Sequence, residues 1–219
     1  KARKSHYPAP YRLIDLFEDH GGSFDALKRH ETEYFAPLMV GETSRNLRRV
    51  FRLSEDLKAQ APKDTTFKPV RVHVIGAGTM GADIAGWCVA SGMQASLQDL
   101  SAEQIAKGIA AQDKTLKRKF RKPAAFAAAK ERLIADPNGQ HIGGADVVIE
   151  AIVEDAEIKR KVFADLEAKM KPGAVIATNT SSIMIEDLAS ALSDPSRLIG
   201  IHFFNPVAQM PLVEIIRGA

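Results

Sequence analysis

The sequence predicts an α/β fold: a doubly wound, mostly parallel sheet preceded by a helical segment. Three observations predict it. From residue 70 onward, short apolar runs alternate with helical stretches, the pattern of strands joined by crossover helices. The first run leads directly into a glycine-rich loop, Gly76-Ala77-Gly78-Thr79-Met80-Gly81, that opens a helix. The second run is followed by Gln98 and an acid, Asp99, which lies 23 residues past Gly76.

Residues 1–60 show helical periodicity and few strand signals. Ser23 is placed to cap a helix carrying Leu27, Tyr34, Phe35 and Leu38, and Pro37 is expected to kink or stop it. A second helix is expected after Gly41, with Leu47, Val50, Phe51 and Leu57 mostly three or four apart on one face. Residues 61–69, with Pro62 and Pro69, read as a linker. Beyond it, residues 70–219 form the expected sheet domain. Strands are predicted at 70–75, 94–97, 133–135, 147–151, 175–178, 198–203 and 212–216, and helices at 81–91, 102–120 and 157–170. The alanine-rich stretch 123–130 is helix-prone.

Composition limits the function classes. The chain has 219 residues, 45% apolar and 26% charged, the balance of an ordinary globular protein and not of a disordered or collagen-like one. No apolar run approaches the ~20 residues of a membrane helix. The net charge of +3 is too small to argue for nucleic acid. Cys88 is the single cysteine, so no internal disulfide is possible. None of the six histidines stands at metal-ligand spacing from another His or from Cys88, so no metal site is expected. The chain opens Lys-Ala-Arg-Lys and stops just after an apolar run, and both ends are expected to be cuts inside a longer polypeptide.

The glycines suit a Rossmann-like dinucleotide loop. Gly76 permits the tight turn, Gly78 lets backbone approach a pyrophosphate, and Gly81 lets helix and strand pack closely. The helix N-terminus offers unpaired N–H groups and a positive dipole end to the phosphates. A carboxylate at Asp99 can accept hydrogen bonds from the adenosine ribose hydroxyls and repels a 2′-phosphate, which favours NAD over NADP. Alone, the glycine pattern is weak; the agreement of strand, loop, helix and acid favours it over the alternative, a glycine turn beside a solvated Asp.

Further along, His202 ends an apolar strand in Gly-Ile-His-Phe-Phe-Asn-Pro. The carboxyl ends of strands face the ligand crevice in open α/β sheets. A lone histidine there reads first as a satisfied core residue. Asn179-Thr180-Ser181-Ser182 reaches the same edge, although Ser182 could instead cap a helix running through Leu188. Glu150 and Glu154 flank the end of another strand, where a carboxylate can simply solvate a turn. Glu214 lies twelve residues past His202 inside an apolar run. If the chain turns at Asn205-Pro206 and returns beside His202, the two form a buried, paired general base.

These residues resemble the L-3-hydroxyacyl-CoA dehydrogenase family, at VVIEAIVED, TNTSSI and HFFNPVAQMPLVEII, with GAGTMG and Asp99 in agreement. Residues 4–60 are similar to the region of multifunctional fatty-acid oxidation enzymes that joins an upstream enoyl-CoA hydratase-like part to the dehydrogenase. The resemblance implies that His202 is the general base, that Glu214 orients it, that Ser181 bonds the substrate oxygen and that Asn205 positions substrate. It implies that NAD is held by Gly76, Gly78, Thr79, Met80, Gly81, Asp99, Glu154, Lys159 and Asn179. The implied substrate is an acyl-CoA thioester. Implied partners are the other domains of the parent polypeptide and a thiolase subunit, with neither nucleic acid nor a membrane span. Gln98, and Ala208-Gln209 where the family often has a second proline, depart from the pattern without touching an assigned role. The family's substrate-covering helical domain would lie past residue 219. The layout favours a bacterial cytoplasm, with the mitochondrial matrix as the alternative.

The basic run Lys114, Lys117, Arg118, Lys119, Arg121 and Lys122 reads as a solvated helix face or as an attractor for the phosphates of coenzyme A. Two rivals remain at this point. One is another β-hydroxyacid dehydrogenase, a class that generally uses a lysine base. The other is a non-catalytic nucleotide-binding or assembly module, which has no need of a His202–Glu214 pair.

Overall fold

Strands β1 (Arg71–Ile75), β2 (Gln94–Gln98), β3 (Leu133–Ala135), β4 (Val147–Glu150), β5 (Val175–Thr178), β6 (Leu198–Phe203) and β7 (Val213–Arg217) form one sheet in the order β3-β2-β1-β4-β5-β6-β7. β1 to β6 are parallel, and β7 runs antiparallel to β6. The strand order reverses between β1 and β4, and such a switch point opens a crevice outside the carboxyl ends of the strands. The structure is a computed structural model that describes residues 3–60, 66–210 and 212–218. It divides into two compact units, Lys1–Thr66 and Phe67–Ala219. Residues 61–65 of the expected linker lie outside the described residues.

The crossovers of the second unit are α4 (Thr79–Ala90), α5 (Ala102–Lys119), α6 (Pro123–Glu131) and α7 (Ala156–Lys169), with the short α8 (Ile185–Ala189) between β5 and β6. Ser101 and Asp155 cap α5 and α7 by accepting the N–H groups of Gln104 and Ile158. Two apolar clusters cover the two faces of the sheet. One gathers Val72, Val74, Ile84, Val89, Leu97, Ile105 and Leu116 under α4 and α5, and the other Val148, Phe163, Leu166, Ile176, Leu188 and Leu198 under α7 and α8. β4 feeds both, with Val147 and Ile149 on one face and Val148 on the other. A strand buried on both sides therefore reads as an unbroken apolar run.

The first unit contains α1 (Ala9–His20), α2 (Phe24–Val40) and α3 (Glu42–Gln60). Sequence periodicity missed α1 as a separate helix. Ser23 caps α2 by accepting from the Ala26 N–H. Pro37 does not stop α2, which continues to Val40. A proline in the last turn removes a single i to i−4 hydrogen bond, too little to end the helix there. His20 and His30 stack at 4.0 Å, and the Tyr34 hydroxyl donates to Asp19. Leu47, Val50, Phe51 and Leu57 of α3 are all exposed.

Candidate active site

The glycine loop leaves β1 and turns into α4. Gly76 has φ +98°, and a Cβ there would meet the Ala151 carbonyl oxygen at 2.5 Å. At Gly81 a Cβ would fall 1.7 Å from the Gly76 carbonyl oxygen, so only glycine lets α4 start this close to the strand. At Gly78 a Cβ would meet nothing within 4 Å. Gly78 therefore answers no packing demand, and a bare backbone beside open space is what the approach of a phosphate requires. Gly78 and Thr79 are exposed and Met80 is half-buried at the first turn of α4, where the N–H groups have no intrahelical partners. These residues fit a dinucleotide pyrophosphate.

Asp99 follows β2 at the same edge. Its Oδ2 accepts the Ala77 N–H at 2.7 Å and its Oδ1 the Ser101 N–H at 3.1 Å, so the acid also fixes the loop. Each carboxylate oxygen has a second lone pair for a ribose hydroxyl.

Across the switch point, β4 ends in Glu150. Its side chain is fully buried, so it does not solvate a turn as the sequence suggested. Oε1 accepts from the Lys159 ammonium at 2.6 Å and the Ile152 N–H at 2.7 Å, and Oε2 from the Thr178 hydroxyl at 2.7 Å. Lys159, on α7, is equally buried and reaches Glu154 Oε2 at 3.2 Å. Glu154 Oε1 accepts from the Thr180 hydroxyl, from the Ser181 N–H at 3.0 Å, and from Ser182 through both its N–H and its hydroxyl at 3.3 Å. Burial opposes the charge on Glu154. The hydrogen bonds from Thr180 and Ser181 and the nearby Lys159 ammonium outweigh it and hold the carboxyl down at about 2. Ser182 consequently bonds Glu154 and does not cap a helix. α8 starts later, at Ile185, with Met184 at its N-cap.

Asn179 ties the loop after β5 to the end of β6, its Oδ1 accepting the Phe203 N–H at 2.9 Å. One residue back stands His202, directly opposite Glu214 in the β6–β7 register. His202 Nδ1 and Glu214 Oε2 are 2.8 Å apart. A carboxylate only accepts, so Nδ1 carries the proton and Nε2 is left as the basic nitrogen. The Phe204 ring lies tilted against the imidazole at 4.6 Å. The pair is not buried as expected, since the side chains are 21% and 50% exposed. The reason is that every residue of β7, the edge strand, is exposed. Asn205 is exposed and follows β6, before a cis peptide to Pro206. Ser181 is exposed in the Glu154 loop.

The carboxyl edge thus brings together the glycine loop, Asp99, Glu154, Asn179, Ser181 and His202. The basic run stands apart. All six of its residues are exposed, on the last turns of α5 and just beyond. With 18 residues α5 is about 27 Å long, and it starts beside Asp99. Sequence reasoning named Glu150 without giving it a role and passed over Thr178. The available signal was a glutamate closing the apolar run Val147-Val148-Ile149, which buries an acid that then needs a partner.

A family model described as 3-hydroxyacyl-CoA dehydrogenase, NAD binding domain, matches residues 71–219. The fatty acid oxidation complex subunit alpha of Acinetobacter baylyi is 36% identical over the whole chain, and that of a Psychrobacter species 35%. The chain spans 31% of the length of each. Among solved structures, (S)-3-hydroxybutyryl-CoA dehydrogenase from Ralstonia eutropha superposes with a TM-score of 0.65 at 37% identity, covering 69% of this chain and 55% of that one. The dehydrogenase part of a multifunctional enzyme from C. elegans gives 0.61 at 32% identity, over 70% of this chain and 36% of that one.

Proposed function

Since this chain belongs to the 3-hydroxyacyl-CoA dehydrogenase family through its NAD-binding domain, we propose that its parent polypeptide oxidises the C3 hydroxyl of 3-hydroxyacyl-CoA thioesters in fatty-acid β-oxidation. The observation that carries this reading is the His202–Glu214 pair at the sheet edge that also holds the glycine loop. Bound NAD supplies the hydride acceptor, C4 of its nicotinamide. The chain's own residues do the rest. Backbone N–H groups around Gly76, Gly78, Thr79, Met80 and Gly81 hold the pyrophosphate. Asp99 takes the ribose hydroxyls, while Glu154, Lys159 and Asn179 shape the nicotinamide end. His202 removes the hydroxyl proton at Nε2, and Glu214 orients the ring and stabilises the imidazolium. Ser181 bonds the substrate oxygen and Asn205 positions the thioester. The exposed basic run attracts the phosphates of coenzyme A.

The parent's remaining length supplies the other domains, including a helical cover for the substrate. A thiolase subunit is the partner that would consume the 3-ketoacyl product. Bacterial cytoplasm is the compartment this reading favours, and among the described residues no helix is long and apolar enough to cross a membrane. A non-catalytic nucleotide-binding module would have no use for a His–Glu pair at the ligand edge.

Fluorescence titration of the chain with NADH and NADPH tests the cofactor reading. NADH is expected to bind more tightly, and Asp99→Ala to narrow the gap by removing the repulsion of a 2′-phosphate. Equal or tighter NADPH binding by the unmodified chain contradicts it.

A further inference from the structure

Three charged side chains meet between the ends of β4 and β5. Glu150 and Lys159 are wholly buried and 2.6 Å apart, and both Glu150 oxygens are spent on internal donors. Glu154 lies 3.2 Å from the same ammonium but is 38% exposed. A buried cation between two carboxylates leaves the group with one net negative charge. The inner pair cancels, so that charge resides on the outer carboxylate, at the rim.

The rim in question lies on the nicotinamide side. The loop after β1 and Asp99 after β2 take the adenosine half of a dinucleotide, so its other half crosses the switch point to the ends of β4, β5 and β6. Glu154 follows β4, its partners Thr180 to Ser182 follow β5, and Asn179 joins them to β6 beside His202. An oxidised nicotinamide ring carries a positive charge and a reduced one carries none.

We propose that Glu150 is a positioning residue that cancels the charge of Lys159, so that Glu154 stands as an uncompensated anion beside the nicotinamide and biases the site toward the oxidised cofactor. The inference rests on the reading of this edge as an NAD site. Without the Glu150 charge, the ammonium would neutralise Glu154 and the bias would vanish. A purely structural role for Glu150 predicts something else: losing one member of a buried pair loosens the fold and weakens both cofactor forms alike.

The test measures dissociation constants for NAD+ by calorimetry and for NADH by fluorescence, on the 219-residue chain, with folding followed by circular dichroism. Glu150→Gln is expected to lower the ratio Kd(NADH)/Kd(NAD+) about tenfold, the size of effect a unit charge exerts in a partly desolvated crevice. The double variant Glu150→Gln/Lys159→Met removes both inner charges, and its ratio is expected to return to that of the unmodified chain. If Glu150→Gln does not fold, the double variant and Glu154→Gln carry the test, with an unchanged ratio expected in the first and a tenfold lower one in the second. A ratio that Glu150→Gln leaves unchanged while both forms bind overturns the inference alone, as does failure of either substitute variant. An unmodified chain that binds neither form overturns the NAD reading and the inference with it.

Discussion

Glu154 and Asp146 contribute to the acid sensitivity of the site unit. The Lys171 ammonium and the N–H groups of Arg71 and Val70 hold the Asp146 carboxyl at about 2, as Glu154 is held by its own partners. Both folded values lie below the ordinary ones, so the stabilisation is complete above the unfolded values. It is lost as pH falls from about 4.5 toward about 2. Thermal melts across that window should show the transition temperature dropping, and Glu154→Gln and Asp146→Asn should each flatten the drop. A profile of the same slope in both variants would contradict the assignment. The sequence exposed some of these residues and hid others. A turn at Asn205-Pro206 would let the chain return with Glu214 beside His202, and the β6–β7 register sets the two directly opposite each other. The cationic partner of Glu150 was not legible. It depends on α7 bringing Lys159 over the end of β4, which local pattern does not encode.

Elements were more legible than side-chain partners. Strands such as β5 and β6 follow directly from apolar runs bounded by turn residues, and the glycine spacing placed the β1–α4 junction. One error came where a tertiary partner overruled a local preference, the Glu154 carboxylate claiming Ser182, and another where α2 absorbed Pro37 in its last turn at the loss of a single backbone hydrogen bond. The junction itself makes a sharp prediction. Gly81→Ala sets a Cβ against backbone at 1.7 Å, which no side-chain rotation relieves. It should lower the melting temperature and abolish NADH binding, whereas Gly78→Ala, which clashes with nothing in the protein, should fold normally and lose only cofactor affinity. Calorimetry and NADH titration separate the two, and a Gly78→Ala chain that binds NADH normally would contradict the phosphate contact. The exposed apolar face of α3 belongs to the other unit, and limited proteolysis should cut first within 61–69. A first cut inside the sheet would count against that boundary.

For the whole molecule, one edge of one sheet carries the groups proposed for NAD and for the C3 hydroxyl, with the basic run apart from it at the end of α5, and the chain spans 31% of the length of the curated relatives it matches. Enzymes gain much of their rate by holding reactants in register and excluding water. The 219-residue chain alone should therefore turn over far more slowly than its parent while still binding NADH. In both, the chemistry should depend on the same histidine. A positioned general base contributes ~10²–10⁴-fold. Glu214→Gln should lower turnover as well, and the two losses should not add, because residues acting as a unit are non-additive. The most direct measurement is acetoacetyl-CoA-dependent NADH oxidation by the parent polypeptide carrying His202→Gln. The account predicts a fall of two or more orders of magnitude, with NADH affinity unchanged. A variant that keeps most of its rate would contradict it and return His202 to the role of an ordinary strand residue.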